Sequence, residues 1–293
     1  MPILNDLEDL KNYPFSSLDL PSKVLMVTPE HFNVDYSINP HMESVEGELP
    51  KIDEKRALFQ WEKLKEKVSE FGLKVYALNG KEDLPDMVFS ANQTLPLDSK
   101  TVLMSKMAFE ERRGEVPFFS DFFENRGYQV KKLPEEVNML EGTGDALWHY
   151  GMDLLWCGHG FRTDQSAINY LGNELNLAVA PLKLVDEYFY HLDTCMCLLD
   201  SKTVAWVPKA FSNESAELID NFFPKTIEIP IDEAREFFSC NSWSVDGKNI
   251  LVPYGAEIMK KKLEDHGYIV HELDTSEFIK AGGSIFCLKL AFF

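Results

Sequence analysis

No stretch of this sequence approaches the ~18 consecutive apolar residues that a membrane-spanning helix requires, which excludes a helical membrane protein. A secretory leader is missing too. The opening MPILNDLEDLKNYP carries acidic residues where a leader has a basic segment and then a long apolar one. A cytoplasmic protein is the expectation. Positive charge is in short supply: 29 lysines and arginines face 48 aspartates and glutamates, for a formal net charge of −19. A nucleic-acid partner is thereby excluded, because phosphate binding asks for a basic surface. The basic clusters Lys63, Lys65, Lys67 and Lys260, Lys261, Lys262 lie in Glu- and Asp-rich helical stretches and read as solvated helix faces. Cysteines number five: Cys157, Cys195, Cys197, Cys240 and Cys287. An odd number without a leader makes no disulfide framework. Cys195-Met196-Cys197 has the wrong spacing, and no second pair, for a structural metal site. No G-x-G-x-x-G follows the first apolar strand, and Gly142-Thr143-Gly144 is only G-x-G. Neither metal nor cofactor is expected.

What the chain does contain is a repeat. Residues 87–107, 144–160, 192–210 and 238–255 each read as strand, short polar turn, strand. The turns centre on Asp98, Tyr150, Asp200 and Asp246, spaced by 52, 50 and 46 residues. An amphipathic helical stretch follows each hairpin (VPFFSDFFENRG, SAINYLGNEL, ESAELIDNFF, AEIMKKKLEDHG), several ending at glycine as helix C-termini do. Most then lead to an apolar strand: YQVKKL, AVAPLKL, YIVHEL. KVLMVT (23–28) and the helix–Gly–strand run after it lack a hairpin partner, which the C-terminal SIFCLKLAFF can supply. The count is five ββαβ modules, one of them shared by the two ends of the chain. A period near 50 residues points to a ring of modules, and closing it with both ends protects its edges. A doubly wound parallel sheet is the rival fold, but hairpin turns this short cannot carry parallel crossovers. One domain over 1–293 is expected.

Each module carries a polar cluster about six residues before its turn. These are Ser90-Ala91-Asn92, Glu141 with Asp145, His191-Leu192-Asp193-Thr194, and Cys240-Asn241-Ser242; the equivalent place near the C-terminus is Gly282-Gly283-Ser284-Ile285-Phe286-Cys287. In a ring, equivalent positions converge. Any one buried polar residue merely asks for a partner; five at the same phase make a pocket. Its contents suit cysteine chemistry on a planar cation. Cys287 offers a thiolate after a Gly-Gly pair that permits close approach. His191 titrates near neutrality, and carboxylates match the forked donors of a guanidinium.

On these residues the sequence resembles the guanidine-modifying superfamily: arginine deiminases, dimethylarginine hydrolases, amidinotransferases and arginine dihydrolases. The resemblance runs through VLMVTPEHFNVDYSINPHM (24–42), DMVFSANQ (86–93), LEGTGDAL (140–147), GFRTD (160–164), FYHLDTCMC (189–197) and AGGSIFC (281–287). It implies a five-bladed α/β propeller, the pentein fold. It also implies Cys287 as nucleophile, His191 as general acid and base, and Glu141 orienting the histidine. Asp145 and Asp193 would hold guanidinium nitrogens. Arg162 would bind the substrate carboxylate, with Asn39 at the amino-acid end. A surface ion pair with Asp164 is the alternative for Arg162.

Asn92, where deiminases and dimethylarginine hydrolases typically carry aspartate, makes the arginine dihydrolases the nearest likeness. They convert arginine to ornithine, carbon dioxide and two ammonia. Gln93, Leu140 and Phe286 depart from their pattern, and two of these flank the proposed site. The expected partner is arginine or an analogue, and a homo-oligomer is compatible with the sequence. The alternatives are a single hydrolysis giving citrulline, amidino transfer to an amine, or, outside enzymes, an arginine-binding protein that keeps the fold.

Overall fold

The computed structural model describes residues 3–43 and 47–293. Its strands form five separate three-stranded sheets with one recurring pattern. A central strand pairs antiparallel with one neighbour and parallel with the other. Thr101–Met104 pairs antiparallel with Thr94–Pro96 and parallel with Gln129–Lys131. Leu154–His159 does so with Ala146–Trp148 and Ala178–Lys183. Thr203–Trp206 lies between Met196–Leu198 and Lys225–Glu228. Asn249–Pro253 lies between Trp243–Ser244 and Ile269–Leu273. In the fifth sheet Lys23–Val27 pairs parallel with Lys74–Leu78 and antiparallel with Leu290–Phe292. The two ends of the chain therefore share one sheet, as the unpaired strands at either end require. Five sheets of mixed direction rule out the single parallel sheet.

The hairpin turns follow from their aspartates. Asp98 Oδ1 accepts the Lys100 and Thr101 amides at 2.7 and 2.8 Å. Asp200 accepts Lys202 at 2.7 Å, and Asp246 accepts Lys248 and Asn249 at 3.0 and 2.7 Å. Each short side chain substitutes for a backbone acceptor and reverses the chain. The helices Glu54–Glu70, Val116–Glu124, Asn213–Phe222 and Glu257–Asp265 bury one stripe each, the arrangement their apolar spacing calls for. Lys63 and Lys67 pair with Glu66 and Glu70 on the exposed face. No helix among the described residues is long and apolar enough to cross a membrane.

Two elements escape the sequence reading. Lys225–Glu228 is a strand of sequence KTIE with a single apolar residue, so it lacks the apolar run read in the other third strands. The polar clusters, expected inside the hairpins, instead sit in turns ahead of the first strand of each module. Asp145 and Asp193 lie in the helical turns Gly142–Asp145 and Leu192–Thr194, while Ser90-Ala91-Asn92 and Cys240-Asn241-Ser242 lie in non-helical turns. Cys287 likewise lies in a turn closed by Leu288 N donating to Ser284 O at 3.1 Å, and its strand starts only at Leu290. A strand alternates its side chains between faces; a turn gathers several on one side, which is what a site needs.

Candidate active site

Cys287, His191, Asn39, Asn92 and Arg162 line one narrow cavity. Glu141 and Asp193 sit immediately behind it. The nucleophile candidate is held by its neighbours on every side. The Asn241 amide oxygen accepts the Ser284 and Cys287 N–H groups at 3.0 and 3.2 Å. Its nitrogen donates to Cys287 Sγ at 3.2 Å and to Asp193 O at 3.1 Å. Cys287 Sγ in turn donates to Asp193 Oδ2 at 3.2 Å, while Asp193 Oδ1, buried, has no partner. The preceding glycines fit a space that no side chain enters. A Cβ on Gly282, at φ +85°, would lie 2.6 Å from Asn39 Oδ1, and one on Gly283 would lie 2.4 Å from the Phe89 ring.

His191 donates through Nε2 to Glu141 Oε2 at 2.7 Å. An ionised carboxylate only accepts, so this bond fixes the proton on Nε2 and leaves Nδ1 a free lone pair. The other Glu141 oxygen accepts the Ala108 amide at 2.9 Å. Burial alone would raise Glu141, but the Arg162 charge and His191 overcome it and hold the carboxyl down to about 2. Burial pushes His191 down to about 4, against the pull of Glu141. The resting pair is therefore carboxylate and neutral imidazole. The Cys287 thiol is pushed well up, first by burial and then by Asp193, so it rests protonated. Burial lifts Asp193 to about 7.

Arg162 is 2% exposed and makes no pair with Asp164, which instead caps the helix Gln165–Asn169 through the Ser166 and Ala167 amides. It donates to Glu141 Oε2 at 3.3 Å and to Ile38 O at 2.7 Å, stacked between Phe109 and Tyr190. Asn39 donates to Ala281 O at 3.2 Å on the cavity wall. Asp145 stands off the wall, accepting the Leu192 amide at 3.0 Å, so it braces the turn that carries His191 and Asp193.

Three further residues line the cavity: Asp86 and Tyr190 lie inside two of the resembling motifs without being singled out, and Arg112 lies outside them all. Asp86 faces the cavity with Oδ1 unpartnered while Oδ2 accepts the Tyr36 hydroxyl at 2.9 Å. Tyr190 donates to Gly282 O. Arg112 looks like surface charge within FEERRGE, yet is 4% exposed. Its guanidinium forks onto Glu115 at 3.1 and 3.0 Å and donates to Asn92 Oδ1 at 3.0 Å. Gln93 donates to the same Glu115 at 2.6 Å, which turns it away from the cavity. Asn241 was visible only as one polar cluster among five. Asn241→Leu is expected to strand three buried backbone groups and cost about 3–5 kcal/mol. Urea unfolding measures this, and turnover should fall with it.

The family model described as N,N dimethylarginine dimethylhydrolase, eukaryotic, matches residues 28–293. The chain belongs to that family. Membership places it in the guanidine-modifying superfamily. It is 38% identical over 92% of its length to the bifunctional arginine dihydrolase/ornithine cyclodeaminase ArgZ of Synechocystis, of which it spans 37%. It is 35% identical over 90% of its length to the N(G),N(G)-dimethylarginine dimethylaminohydrolase of Mycobacterium tuberculosis, spanning 84% of that protein. Among solved structures, the product-bound N-terminal domain of ArgZ, described as an arginine dihydrolase, superimposes with a TM-score of 0.85. The identity is 38%, covering 92% of this chain and 96% of that domain. An ArgZ domain variant covalently bound to a reaction intermediate also matches at 0.85, with 37% identity over 93% and 97% of the two chains.

Proposed function

We propose that the protein hydrolyses the guanidinium group of arginine through Cys287, and does so twice, giving ornithine, carbon dioxide and two ammonia. In this reading residues 1–293 are one catalytic domain whose five sheets close into a propeller around the site. The observation that carries the second hydrolysis is the setting of Asn92. Arg112 occupies its amide oxygen, so the unpartnered Nδ2–H₂ is what remains for a ligand. A guanidinium offers only donors; the ureido group of citrulline offers an oxygen acceptor. An N–H beside Cys287 therefore holds the neutral intermediate that a carboxylate would release.

The chemistry follows from the charges. The resting thiol is neutral, and an entering guanidinium brings the positive charge that favours the thiolate. Asp193, with one oxygen free, accepts guanidinium N–H groups. Arg162 and Asn39 receive the carboxylate and amino-acid end. The thiol proton passes to the free Nδ1 of His191, Cys287 Sγ bonds to the guanidinium carbon, and His191, held by Glu141, passes that proton on to the departing ammonia. His191 then takes a proton from water, which adds to the same carbon and expels the thiol, leaving citrulline. Repetition on the ureido carbon removes the second ammonia, and the carbamic acid left on ornithine loses carbon dioxide.

Arginine is expected to yield ornithine and two equivalents of ammonia, quantified by mass spectrometry and an ammonia assay. The second reading rests on the family match and the Mycobacterium relative. Citrulline and dimethylamine from dimethylarginine, with arginine inert, would establish it in place of the first.

A further inference from the structure

A second cavity, of about 120 Å³, lies among the first strands of the modules and shares no wall residue with the Cys287 cavity. Trp148, Tyr150, Trp243 and Phe286 are on its wall, and so is Lys289. Lys289 is 2% exposed. Its Nζ lies 3.1 Å from the centroid of the Phe286 ring and 4.9 Å from that of Trp243. No hydrogen bond or ion pair joins that nitrogen to any described residue. The buried hydroxyl of Tyr150 likewise has no partner.

A buried ammonium without an acceptor is costly, and aromatic faces replace only part of its hydration. The cavity is comparable to those that admit a single aromatic ring and is mostly apolar, with the Lys289 nitrogen awaiting an acceptor. We propose that it binds a small aromatic carboxylate. The carboxylate accepts from Lys289 Nζ, and the ring packs among Trp148, Trp243 and Phe286. A single cation with aromatic walls favours this over a multiply charged, fully hydrated anion such as phosphate.

The charged and titratable neighbours are Asp193, Cys287 and Cys197 on the Lys289 side, and Asp19, His149 and Tyr150 on the wall. Burial pulls Lys289 down to about 7, with Asp193, Cys287 and Cys197 opposing. Burial holds His149 to about 4, hence neutral. An anion selects the charged lysine, so affinity is expected to fall roughly tenfold or more between pH 6 and 8.5.

The probe is 4-bromobenzoate, titrated into the full chain at pH 6 by calorimetry and soaked into crystals for anomalous diffraction. One saturable site is expected, with bromine density between Trp148 and Trp243, no competition with arginine, and affinity at least about tenfold weaker in Lys289→Met. Absence of saturable binding, competition with arginine, bromine in the Cys287 cavity, or equal binding by Lys289→Met would each overturn the proposal. Where Lys289→Met does not fold, the bromine position in the unsubstituted protein decides.

Discussion

Cys287→Ser is expected to lower turnover of arginine by roughly 10³-fold or more while the protein folds and binds arginine much as before. A serine hydroxyl is a far weaker nucleophile than a thiolate, and removing the nucleophile from a set of residues that act together forfeits most of what the set achieves. The substitution is small: Oγ replaces Sγ between the Asn241 amide and the Asp193 carboxylate, both of which accept or donate to a hydroxyl equally well. Single-turnover kinetics, together with calorimetric binding of arginine, separate the two effects. Cys195→Ser and Cys197→Ser provide the contrast. Both thiols pack in the apolar core and donate to backbone carbonyls, so stability is their expected cost. Substantial turnover by Cys287→Ser would falsify the nucleophile assignment.

Asn92→Asp is expected to stop the reaction at citrulline. Arg112 would still occupy one oxygen, as it does now at 3.0 Å, but the other would present a carboxylate in place of an N–H donor. That oxygen attracts the guanidinium of arginine and repels the carbonyl oxygen of a ureido group. In a cavity shielded from water a misplaced charge counts for several times its value in bulk solvent. Feeding arginine and then citrulline to both proteins, with ornithine quantified, measures the switch. Ornithine should dominate for the natural protein, and the variant should lose at least about 90% of it, a tenfold change that ~1.4 kcal/mol of discrimination produces. Equal ornithine from both would sink the account of Asn92.

The sequence by itself determined the modules and most of their contents. Hairpins at a spacing near 50 residues, aspartate-centred turns and amphipathic helices are local features, set by side chains on their own backbone. Even the pairing of Lys23–Val27 with Leu290–Phe292 was legible, because each strand otherwise lacked a partner. Cys287, His191, Glu141, Asn92 and Arg162 were legible as well, through polar residues repeated at one phase and the motifs around them. Only the tertiary structure decided which way those groups face. Arg112 has no local mark that separates it from a surface arginine, since its burial comes from Glu115, Asn92 and two backbone carbonyls brought in by folding. Asp145 and Asp193 look alike in sequence, yet one braces a backbone amide and the other holds the thiol. Lys289, two residues past Cys287, reads as ordinary strand polarity until the neighbouring modules enclose it. Spacing along a chain specifies which groups can meet. Hydrogen-bond direction and burial, which set their charges, arise only when distant modules pack together.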